Sequence, residues 1–83
     1  MKCRLTNMSK NGHTRTDIVE GECEQPPEIG IRFVMTGSPL DRSGKYDARI
    51  VATTPIRQMY LIPGTNDIDF ITRSGTNYLW EQF

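Results

Sequence analysis

Five turn signals divide this 83-residue chain: Asn11-Gly12, Pro26-Pro27, Ser43-Gly44, Pro63-Gly64 and Ser74-Gly75. The pieces between them are short and rich in β-branched and aromatic residues, the pattern of an all-β domain. No stretch of ten residues free of Gly and Pro carries an apolar stripe of period 3.6, so no helix of ordinary length is expected. One short helical turn fits near 39–45.

The chain reads as a single domain over residues 1–83. At 9.5 kDa, area scaling puts the surface buried on folding at roughly 63%. Such a domain has only a few kcal/mol of stability and few large apolar residues to spare for a catalytic cleft. Ten basic and ten acidic residues cancel, whereas proteins that grip nucleic acid through phosphates are usually far more basic. The charges are segregated: Lys2, Arg4, Lys10 and Arg15 precede Asp17, Glu20, Glu22, Glu24 and Glu28. Two neighbouring strands attracting each other across a hairpin account for this simply. No run reaches membrane-spanning length and no signal-peptide pattern opens the chain, so a reduced, cytoplasmic setting is expected.

Asn11-Gly12, read as a two-residue hairpin loop, pairs Leu5 with Ile18 and Cys3 with Glu20. Cys23 then falls on the opposite face from Cys3, so both read as free thiols or small hydrophobes rather than a bridge. The polar hairpin of residues 2–24, with a tip from Met8 to Thr16, reads as a projection from a barrel body at 29–82. Within that body, Ile31, Phe33 and Met35 share a face of a third strand, 46–54 forms a fourth that Pro55 ends or bends, and 56–62 forms a fifth. Pro63-Gly64 reads as a type II turn. Ser74-Gly75, read as a two-residue loop, pairs Phe70 with Leu79, which sends Ile68, Phe70 and Leu79 to the core and Ile71, Tyr78 and Trp80 outward. The expected fold is a strongly bent antiparallel sheet, or an SH3-like or OB-like barrel, of six to seven short strands with a projecting N-terminal hairpin.

Candidate chemistry is sparse. His13 stands alone at a hairpin tip without an orienting partner. Cys3, Cys23 and His13 lack paired zinc spacing, and the glycines form no phosphate-cradling motif. No cofactor and no metal are expected. Asp67, Asp69 and Glu81 read as solubilising charges, and Thr53-Thr54 before Pro55 as caps for backbone groups freed by the bend. Tyr46, Tyr60, Tyr78 and Trp80, with Arg49, Arg57 and Arg73, carry the residue types of a protein interface or of a base-stacking site.

The pattern Ile29-Gly30-Ile31-Arg32-Phe33, then Thr53-Thr54-Pro55-Ile56, then Phe70-Ile71-Thr72 followed by a turn and Tyr78 is similar to short open reading frames of phages and mobile elements. The resemblance implies a compact protein made in a bacterial cytoplasm. By analogy with phage proteins of this size, it suggests an inhibitor of host machinery of the anti-CRISPR or anti-defence kind. The expectation is therefore a non-enzymatic protein that occludes a host or defence protein, using Lys10, His13 and Arg15 at the tip and Tyr78 and Trp80 on the outer face. Two alternatives are a dimeric sponge for a nucleotide signal, built on Arg49, Arg57, Arg73 and Tyr60, and an accessory module for single-stranded nucleic acid.

Overall fold

The computed structural model describes residues 1–9, 18–39 and 49–83, with Pro39 and Arg49 as backbone only. Its strands are β1 (Lys2–Asn7), β2 (Ile18–Glu22), β3 (Arg32–Pro39), β4 (Arg49–Leu61), β5 (Ile68–Thr72) and β6 (Asn77–Gln82). They pair antiparallel in chain order, and β6 returns to β1, which closes a six-stranded barrel. Closure leaves a short all-β chain without long adhesive edges. Among the described residues there is no helix, and none long and apolar enough to cross a membrane.

The arms of the first hairpin are staves of this wall. β1 lies between β2 and β6 and β2 between β1 and β3, so residues 29–82 alone do not close. The tip lies outside the described residues beyond Ser9.

β4 joins what the sequence divided into two strands. Its first half pairs with β3 through Arg32↔Pro55 and its second half with β5 from Ile56↔Thr72 onward. Pro55 therefore marks the exchange of partners. The ladder registers shift beside it, between Arg32 and Val34 and between Ile56 and Gln58. Thr53 does the capping that the bend requires: its buried Oγ1 accepts from Phe33 N at 3.1 Å and donates to Thr54 O at 2.7 Å. The Pro55 carbonyl accepts from Arg73 N at 2.8 Å.

The interior is filled by side chains. Trp80, Phe70, Met35, Ile56, Thr72 and Cys3 are almost fully enclosed, with Leu5, Val19, Cys23, Phe33 and Ile68 around them. Phe70 is the centre of an aromatic group, 5.9 Å from the Phe33 ring and stacked on Tyr78 at 5.3 Å.

Both hairpin registers differ from the sequence reading by one residue. In the last hairpin, Gly75 N donates to Thr72 O at 2.9 Å and Thr72 N to Thr76 O at 3.0 Å, with Gly75 at φ +91°. The loop is thus the three residues Arg73–Gly75, a turn followed by a left-handed glycine. Ile68 now faces Trp80 and Phe70 faces Tyr78. A slip of one residue reverses every side chain, so Trp80 is core and Leu79 faces away from it. In the first hairpin Leu5 pairs with Val19 and Cys3 with Gly21, which buries Leu5 and Val19 together. The expected type II turn is present: Thr65 N donates to Ile62 O at 3.2 Å across Pro63-Gly64, with Gly64 at φ +79°.

Candidate functional site

Beneath the Gly21↔Gly37 pair, β2 and β3 part company. Their ladder runs from Val19↔Pro39 to Glu22↔Thr36 and stops. β2 stays with β1 beyond that point, where Cys23 N donates to Met1 O at 3.0 Å and the Met1 amino group to Cys23 O at 2.7 Å. Pro26 and Pro27 have no N–H to offer β3. The connection instead crosses the end of the barrel and turns at Gly30, φ +85°. It docks on β4 through Gly30 N to Ile56 O at 2.7 Å and Ile56 N to Ile31 O at 3.1 Å.

The parting leaves a cleft of about 690 Å³, within the size range of ligand-binding pockets. Cys23, Phe33 and Met35 reach it from the core, Ile31, Arg32 and Val34 line its β3 wall, and Glu22, Glu24 and Glu28 line it opposite. These three carboxylates are exposed and take part in no ion pair among the described residues.

The outer surface is divided by chemistry. On β1, Arg4 sits between Glu20 of β2 and Glu81 of β6, with Nε to Glu20 Oε2 at 2.8 Å and Nη1 to Glu81 Oε1 at 3.9 Å. The segregated charges of the sequence do meet across the first hairpin. On β3–β4 the cross-strand pairs Val34↔Ala52 and Thr36↔Ile50 put an apolar strip in solvent, with Ile50 74% exposed. Along β4, Ile50 and Ala52 face outward, while Val51 and Thr53 face the core.

Of the residues expected to bind a partner, Lys10, His13 and Arg15 lie outside the described residues. Trp80 is 1% exposed and cannot touch a partner; Tyr78 is half-buried against Phe70, and burial raises its phenol above the ordinary 10.0. Arg57 and Tyr60 are exposed on the second half of β4, with Gln58 Nε2 hydrogen-bonded to Tyr60 Oη, and Arg73 sits at the β5–β6 turn. Arg49 occupies the far end of β4, roughly 26 Å of extended chain from Arg57. Along the backbone Arg49 is thus set apart from Arg57, Tyr60 and Arg73.

Sequence reasoning separated Cys3 and Cys23; the observed register turns both inward as free thiols. Burial, with a hydrogen bond to and repulsion from Cys23, pushes the Cys3 thiol up to about 12, and the neighbouring Trp80 indole offsets this in part. A thiol held protonated in this way is a poor nucleophile. The cleft was also missed. Its only local signal was the Pro26-Pro27 stop set between Glu22 and Glu24 on one side and Glu28 on the other.

Compared with protein families, curated proteins and solved structures, the chain matches none. Nothing in these comparisons links it to phage or mobile-element proteins.

Proposed function

We propose that this protein is a non-enzymatic binding protein that works by covering part of a partner protein. The observation that carries this reading is the apolar strip Val34, Ile50 and Ala52 on the outer face of β3–β4. It stands in contrast to the paired charges around Arg4 on β1. Apolar side chains held in solvent on a rigid sheet are what a protein interface uses for its core, with polar groups at the rim. The barrel interior is occupied by side chains, so contact is made from outside. Host or defence machinery of a bacterium is the partner class to screen first, as the motif resemblance suggests. Lys10, His13 and Arg15 are retained as a second contact region.

The test is capture from bacterial lysate on the immobilised protein, with Val34→Lys/Ile50→Lys and Lys10→Glu/Arg15→Glu as comparison baits. The expected result is a protein retained in stoichiometric amount by the wild type. It is lost from the strip variant and weakened by the tip variant, while both variants keep the wild-type melting temperature. Retention unchanged by the strip variant, or no retained protein, overturns the reading.

A further inference from the structure

We propose that the β2–β3 cleft is a docking groove for an extended basic peptide, which adds as a strand along β3. This deepens the binding role above by naming the chemistry of one partner segment. It adjoins the apolar strip, and Val34 belongs to both.

Three observations converge on it. First, β3 has an open edge. Residues Arg32–Met35 pair with β4 but lie beyond the end of the β2 ladder. Phe33 turns its N–H toward β4, to Thr53 Oγ1. The alternation of an extended chain then turns the N–H and C=O groups of Arg32 and Val34 toward the cleft. Unpaired strand groups facing a cavity are what strand addition uses. Second, the room is present: about 690 Å³ lies between this edge and the segment from Glu22 to Glu28. Third, the charge selects the occupant. Glu22, Glu24 and Glu28 line the cleft with two cations, Arg32 and the Met1 amino group that Cys23 O already holds, which leaves the lining net negative.

The groove therefore favours lysine or arginine side chains on the segment that enters it, and disfavours acidic ones. The strand period of two lets such a segment turn alternate side chains toward Phe33 and Met35 and keep the others outside. The expected ligand is a stretch of about five residues that alternates basic and apolar. A second copy of the chain is a poorer occupant, since the open edge it could offer is the same β3 segment, which brings one basic residue, Arg32, to the three carboxylates.

The probe is a fluorescein-labelled peptide of alternating lysine and valine, with a glutamate–valine peptide as control, read by anisotropy and by amide chemical shifts. Saturable binding of the lysine peptide alone is expected, with the largest shifts at Arg32–Thr36. Glu22→Lys/Glu24→Lys/Glu28→Lys should weaken it at least about tenfold with the melting temperature unchanged. About 1 M salt should weaken it similarly, because the screening length there is only ~3 Å. Equal binding of both peptides, binding indifferent to the charge reversal, shifts confined elsewhere, self-association filling the groove, or no binding overturns the proposal. Partner capture through Ile50, which lies outside the groove lining, is read separately, with the glutamate-reversed variant as bait. Failure of the peptide with capture intact rejects the groove alone, and loss of capture by wild type rejects the broader reading.

Discussion

Two adjoining stretches of β2 and β3 behave oppositely. In the paired stretch Gly21 faces Gly37, and the backbones lie so close that a Cβ on Gly21 would sit 1.9 Å from Thr36 O. A Cβ on Gly37 would sit 2.3 Å from Glu20 O. Immediately beyond, past Glu22 and Thr36, the chains separate into the cleft. The difference shows how a small barrel turns its corner. Without side chains the strands can coil sharply and stay paired. Once prolines withdraw their donors and β2 commits to β1, nothing holds β3 across the gap.

The largest effect should come from breaking the glycine pair. Gly21→Ala or Gly37→Ala places a methyl against backbone that cannot yield, and should cost more than about 3 kcal/mol, most of the stability of a domain this size. Urea unfolding followed by circular dichroism checks this, and a midpoint near wild type would show that the close approach can relax.

Next in size is Thr53→Val, which leaves the buried Phe33 N–H without its acceptor and should cost about 1–3 kcal/mol. Thr53→Ser should recover much of that. A larger loss for Thr53→Ser than for Thr53→Val would mean that packing by the methyl group, rather than the hydrogen bond, steadies the open edge.

Gly30→Ala sharpens the contrast, since Gly30 is kept for a different reason. Its added Cβ meets nothing within 4 Å, but its φ of +85° is left-handed. The expected loss is only about 1–2 kcal/mol. A loss matching Gly21→Ala would place the critical constraint in the barrel-end turn instead.

The smallest effect at neutral pH is at Cys3, because it appears only in alkali. The folded protein holds this thiol protonated up to about 12, against an ordinary 9.0. The unfolded chain releases the proton first, so this contribution to stability is complete below pH 9 and is lost as pH climbs from 9 toward 12. The slope is at most about 1.4 kcal/mol per pH unit. Burial of Tyr78 acts in the same direction above pH 10. Denaturation series across this range should be less steep for Cys3→Ala than for wild type; identical slopes would show that Cys3 is not the group involved.

Much of the site hung on one residue of register. The turn chemistry at Pro63-Gly64, the bend at Pro55 with its threonine cap and the attraction between basic and acidic strands are local, and each was legible because the responsible groups lie within a few residues or one hairpin. Whether Ser74-Gly75 forms a loop of two residues or ends a loop of three is not written in the dipeptide. It is settled by which choice sends Trp80 to join Phe70 and Ile68. The same holds for Cys3 and Cys23.

The sequence by itself determined an all-β chain, where most of its turns fall, and which strands follow one another, because those are consequences of backbone conformational preference. Tertiary structure alone decided that β1 meets β6, that Gly21 lies on Gly37, that Trp80 is inside and that a cleft opens between β2 and β3. Each of these depends on residues far apart competing for one small interior, where the burial of a large side chain outweighs the preference of any two-residue turn.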